Sequence, residues 1–170
     1  MSTATAVICI LSGAALAQGA AKSTDPQIAH IAYTAGVVDI KAAQVALKIS
    51  KNADVIAFAN NMVADHTAVN DQALALLKKL NVTPEDNDVS KSIVKQSDDE
   101  QAKLAKLTGA AFDKAYAANE LAYHQMVNGA LEKTLIPATA NAELKDLLST
   151  GLKNFQGHQE HAQMLVKMLQ

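Results

Sequence analysis

Residues 54–81 read DVIAFANNMVADHTAVNDQALALLKKLN, and the spacing of their apolar side chains decides the fold. Val55, Ala59, Met62, Val69, Ala73, Leu76 and Leu80 fall on one face of an α-helix, at steps of three and four. The series has one gap, and His66 fills it, an imidazole where an apolar side chain belongs. Helical seam and polar interruption both recur along the chain.

Upstream, about residues 26–51 form a second such pattern, opened by Asp25-Pro26 as a capping carboxylate and a first-turn proline. Its seam is Ile28, Ala32, Ala35, Asp39, Ala42, Ala46 and Ile49. Downstream, Thr83-Pro84 is expected to end the 54–81 helix. A long connection, 82–110, then carries a weaker helix over about 89–107, with Asp88 as its cap and Gly109 as its close. Its apolar positions are sparse, and Asp98-Asp99-Glu100 is a solvated run.

The next helix is expected over about 111–135, with Phe112, Tyr116, Tyr123, Met126, Val127, Ala130 and Leu131 on a broad apolar side and Pro137 as its stop. The last begins near Asn141 and continues to the C-terminus along Leu144, Leu148, Gly151, Phe155, His158, Ala162, Leu165 and Leu169. Period-two alternation and hairpin turn signals are absent, so the chain reads as all-α. Two short turns make two antiparallel hairpins, and the long link between them can travel the bundle's length. That is a four-helix bundle of ferritin-like topology, with a crossover carrying a short extra helix.

The length of 170 residues suits one domain. All fifteen basic residues are Lys, with no Arg and no basic cluster, which argues against nucleic-acid binding. Residues 1–17 read as a signal peptide: Ala6 to Leu11 is apolar, and Ala15-Leu16-Ala17 offers a cleavage site before Gln18. The run is too short to span a bilayer. No basic residue precedes it, so a start further upstream, or a trimmed copy, is expected. The domain is then 18–170, exported to the periplasm or cell envelope. Cys9 lies inside the leader, which leaves the mature part without a thiol.

Asp39, His66, His124 and His158 each sit near the middle of a different helix. Burying such groups without partners is unfavourable, so they are expected to meet in one slice of the core. One carboxylate and three imidazoles suit a transition metal such as Cu, Zn or Fe. Met62, Asp65, Glu120 and His161 lie close enough in sequence to add a ligand or steady one. The plainer reading makes each His a packing residue, or Asp39 and one His a buried pair that fixes register. His30 is expected at the surface, and Tyr116 and Tyr123 in the core with solvated hydroxyls. Met126, Met164 and Met168 read as filler, and Asp113 lies about three turns from His124, too far to share its site. Phosphate loops, nucleophile elbows and zinc-protease motifs are absent.

Met62-Val63-x-Asp65-His66-Thr67-x-x-Asn70, then Phe112-Asp113-x-x-Tyr116 with His124, then His158, resembles an exported bacterial family. That family is catalogued as domain of unknown function four-one-four-two and grouped with ferritin-like proteins. By the resemblance, Asp65, His66, Asp113, Tyr116, His124 and His158 fall on signature positions. Asp39 stands where the family usually has Glu, and Lys153 where a Pro is common. The resemblance implies a ferritin-like fold and no settled activity. The chain lacks any Glu-x-x-His, so the carboxylate-rich di-iron site of the wider group is not intact.

Three functions stay open at this point. One is an exported metal-binding bundle that sequesters a transition metal or handles its redox chemistry. Another is a non-enzymatic envelope or stress protein that binds a partner through its helical surface. The third is a metal-dependent enzyme acting on peroxide or oxygen.

Overall fold

The computed structural model describes residues 23–170, and the expected leader, its cleavage site and Cys9 lie outside them. Every regular element among the described residues is helical: α1 (Asp25–Ile49), α2 (Ala53–Leu80), α3 (Asp88–Leu104), α4 (Gly109–Ala130) and α5 (Ala142–Met168). A π-helical turn, Leu131–Leu135, and a short α segment, Ile136–Ala138, continue from α4.

Asparagine side chains start three of the helices. Asn52 accepts from Asp54 N and Val55 N, Asn87 from Val89 N and Ser90 N, and Asn141 from Leu144 N. Each satisfies backbone donors that the first turn leaves without partners. Asn87, and not Asp88, is therefore the cap of α3. Asp25 also differs from expectation, because it lies inside α1 and Thr24 is the cap residue. The Asp25 carboxylate instead accepts from Ala140 N at 2.9 Å and Asn141 N at 2.7 Å, clasping the α4–α5 connection to the start of α1.

Helix ends depart from the expected ones for local reasons. Asn81, in the left-handed region at φ 55°, closes α2 before Thr83-Pro84 is reached. Gly109, also at φ 55°, opens α4 rather than closing α3. Pro137 does not stop the helix where it was expected to. It lacks an N–H, and its ring would crowd the carbonyl four residues back. The chain answers by widening one turn: Ile136 N donates to Leu131 O, five residues back, and helix continues to Ala138.

α1 packs along α2 and α4 along α5, while α2 also meets α5 and α1 meets α3 and α4. The buried apolar residues fall into two clusters. One holds Ile28, Ile31 and Val38 of α1, Leu77 of α2, Leu131 and Leu135, and Leu144, Leu148 and Phe155 of α5. The other holds Ala42 and Ala46 of α1, Phe58 and Met62 of α2, Phe112 and Tyr116 of α4, and Ala162 and Leu165 of α5. α1 and α5 thus run from the first cluster to the second, and α2 and α4 run the opposite way. α3 enters at Ile93 in the first and leaves at Leu104 in the second, carrying the chain back along the molecule.

Burial of each large apolar side chain contributes about 1.5–3 kcal/mol. The Ala-rich face of α1 and the fully buried Ala59 and Ala117 let the backbones come close at the second cluster. At Gly36 of α1 a Cβ would lie 2.5 Å from Asn70 Oδ1 on α2, so that position has no room for a larger residue.

Candidate metal centre

The polar interruptions of the four seams fall in the gap between the two apolar clusters. On α1, Asp39 follows Val38 and precedes Ala42, and on α2 His66 lies between Met62 and Leu77. On α4, His124 lies between Ala117 and Leu131, and on α5 His158 lies between Phe155 and Ala162. One residue per helix therefore reaches a common level, as the mid-helix positions implied.

The four side chains meet. His66 Nε2 stands 2.6 Å from Asp39 Oδ2, and His124 Nε2 stands 3.8 Å from the same oxygen. The three imidazoles surround one point, with ring centroids 5.2–5.7 Å apart. One nitrogen from each lies within 4.8 Å of the others. Four ligands around a tetrahedral zinc, at ~2.05 Å each, are separated by about 3.3 Å. The two distances to Asp39 straddle that value, so small side-chain rotations suffice to gather the set.

Hydrogen bonds decide which nitrogen each ring turns inward. His124 Nδ1–H donates to the Glu120 carbonyl at 2.9 Å, which leaves the Nε2 lone pair for the centre. His158 Nε2–H donates to the Asp65 carboxylate at 2.9 Å, leaving Nδ1, buried and without a partner, as its free atom. The ring of His66 is held flat against Phe155, with centroids 4.6 Å apart and 10° between planes. Asn128 fixes the backbone below that ring, donating to Phe155 O at 3.1 Å and to Gln159 Oε1 at 3.0 Å.

Electrostatics mark Asp39 as the ionised carboxyl of the centre. Burial pushes the Asp39 carboxyl up, but the adjacent His66 and His124 imidazoles outweigh it and hold the group well below the usual carboxylate range. Burial, reinforced by the Asp39 charge, pushes Glu120 well up, so one carboxyl is ionised and its neighbour is neutral. Burial also lowers His124 and His158 against the opposing pull of Asp39 and Asp65 respectively, favouring neutral rings with a lone pair on the free nitrogen. His66 stands directly against the Asp39 carboxylate. His66 Nδ1, His124 Nε2 and His158 Nδ1 are buried without a hydrogen-bond partner, while His66, His124 and Glu120 face the Asp39 carboxylate. A donor set left in that condition fits an ion that accepts lone pairs.

Asp39, Glu120 and His124 form a second gathering of ligand atoms within 4.8 Å. It shares His124 with the imidazole set, and His124 has only Nε2 to give. The two groupings are thus alternative positions for one ion.

Of the neighbours singled out by spacing, Asp65 contacts His158 and Glu120 lies with Asp39 and His124. Met62 packs in the second apolar cluster, and His161 lies edge-on to Phe58 at 5.1 Å, away from the three rings. Asp113 is far from the centre, accepting from Ser50 Oγ at 2.6 Å in a buried contact. His30 is half-buried with a buried Nδ1, not a surface residue. The tyrosine hydroxyls are not solvated either. Tyr123 donates to Ala35 O at 2.8 Å, and the Tyr116 hydroxyl is buried without a partner beside the Glu120 and Asp39 carboxyls. Asn128 was missed, although its place one turn beyond His124 on the same face is the signal that marks it.

A family model described as Domain of unknown function (DUF4142) matches residues 11–165. The chain belongs to that family. DUF4142 thus covers every residue of the centre, from Asp39 to His158. No curated protein and no solved structure matches this DUF4142 chain.

Proposed function

We propose that this protein is an exported, ferritin-like four-helix bundle that holds one transition-metal ion, Cu, Zn or Fe, for sequestration or redox handling. The observation that carries the reading is the convergence of His66, His124 and His158 nitrogens within 4.8 Å, with Asp39 against them. Antiparallel hairpins joined by a link that returns along the molecule support the ferritin-like topology. Bound there, the ion would supply Lewis acidity or, for Cu and Fe, electron transfer. Asp39 would neutralise part of its charge, and Asp65 would hold the His158 ring in the tautomer that presents Nδ1. An imidazole-rich set with one carboxylate is softer than a carboxylate cage and suits copper or zinc at least as well as iron.

Elemental analysis of untagged protein from its native compartment tests this directly, together with titration of metal-free protein with Zn and Cu. Near-stoichiometric metal, lost in a His66→Ala variant, is the expected result. Protein that arrives without metal and takes up neither ion would reduce the cluster to architecture, and the helical surface would then be the place to seek a partner. At a free zinc concentration 100 times its dissociation constant, stability should rise by about 2.7 kcal/mol.

A further inference from the structure

Beside the centre lies a cavity of about 60 Å3, in the first apolar cluster, lined by residues of all five helices α1 to α5. Its walls are overwhelmingly hydrocarbon, with Val69, Leu148, Gly151 and Phe155 at the end where His66 enters. Of the four converging residues only His66 contributes to the wall. Three other polar side chains line it, Tyr33, Tyr123 and Asn70. The Tyr123 hydroxyl is already committed to Ala35 O, and Asn70 lies one turn beyond His66 with its amide packed on Gly36. A stable internal water needs two to four polar partners, and almost none of this wall's surface is polar.

Size narrows the occupant. An apolar cavity of about 150 Å3 accommodates benzene, and a single water-sized sphere needs roughly 10–15 Å3. The space here lies between those limits, too small for a ring or an acyl chain and ample for two bonded heavy atoms. An ion would lose its hydration for no compensating contact. We propose that this cavity is a binding site for one uncharged diatomic molecule, of the dioxygen or nitric oxide class, seated against the edge of the His66 ring. The site stands on the cavity and its lining, and it does not require the metal.

Xenon is the probe, because dry apolar cavities bind it. Crystals of the full-length protein, with and without zinc, are pressurised with xenon and the anomalous density located. The expected result is a xenon atom bounded by Val69, Gly151 and Phe155 next to His66. Gly151→Leu should abolish it, because a Cβ at Gly151 meets only ordinary contacts of 3.6–3.8 Å and leaves the side chain to grow into the space. Ala32→Leu, from the α1 wall, is the second filling variant should the first fold poorly. Both variants should take up zinc as the parent does, since neither residue belongs to the centre. In the Fe(II)-loaded parent, nitric oxide should bind at least tenfold faster than in the filled variants. Ordered water in the space, no xenon there, or xenon that persists in both filled variants would overturn the proposal. Xenon bound in a protein that takes up no metal would leave it standing and sink the metal reading alone.

Discussion

His66 Nε2 and Asp39 Oδ2 stand 2.6 Å apart with the carboxylate side chain fully excluded from solvent, making α1 and α2 meet through a buried polar pair. Breaking a buried pair from one side costs about 3–5 kcal/mol, while replacing both partners with apolar groups is often near neutral. Asp39→Leu alone should therefore destabilise the metal-free protein by about that much, and the Asp39→Leu/His66→Leu double variant by much less. Urea denaturation of the four members of this cycle reads the coupling. Additive losses would mean that the two residues stabilise the fold independently.

Asp65 is exposed on α2, yet it accepts the His158 Nε2 proton. Asp65→Ala should leave the thermal midpoint of metal-free protein nearly unchanged and weaken zinc affinity by about 10–100-fold. Calorimetric titration of parent and variant checks this. Equal affinities would show that the imidazole needs no such restraint.

Protonation should act on the metal-free protein with a definite sign. Burial sets His124 and His158 below the ordinary imidazole value, so below pH ~6.5 the unfolded chain takes up protons that the folded one refuses. Stability should fall as pH drops from 7 towards 5. It should fall again below about pH 4, where the unfolded counterpart of the depressed Asp39 carboxylate protonates first. Glu120 acts in the other direction: its raised folded value means that stability drains away as rising pH ionises it. Denaturant midpoints from pH 4 to 9 should show both limbs. Glu120→Gln should remove the loss that Glu120 causes as pH rises above about 4.5, and so steepen the net acid limb.

Gly36→Ala should destabilise by about 1–3 kcal/mol, because the new Cβ would lie 2.5 Å from Asn70 Oδ1. Asn70→Ala in the same chain should recover a large part of that loss. If the double variant is no better than Gly36→Ala alone, the strain lies in the α1 backbone and not across the α1–α2 contact.

Much of this arrangement was legible before any coordinates. The 54–81 seam gave a helix over nearly those residues because three-and-four spacing leaves only one face to bury. Asp39, His66, His124 and His158 could be paired by height because mid-helix residues of antiparallel neighbours share a level whichever way the chain points. Details set by hydrogen bonds across the molecule were not legible. The departure of Asp25 from capping depends on backbone amides at 140 and 141, which no local pattern reveals. The widened turn before Pro137 is equally hidden, since the same residues would also fit an ordinary stop. His161 faces Phe58 and Met62 packs in the second cluster, placements that spacing along one helix does not reveal because it says which side chains share a face and not which partner helix that face meets.

The one-residue-per-helix supply of the centre has a topological meaning as well. Asp39, His66, His124 and His158 are widely separated along the chain, and no hairpin taken by itself carries them all. An ion held by the four would act as a reversible cross-link tying every long segment of the core to every other. Such a tie restricts the unfolded ensemble far more than a contact between sequence neighbours would. Binding would therefore report on completed assembly: a half-formed chain offers at most part of the set, and cleavage in either short turn would leave the halves pinned together at their middles.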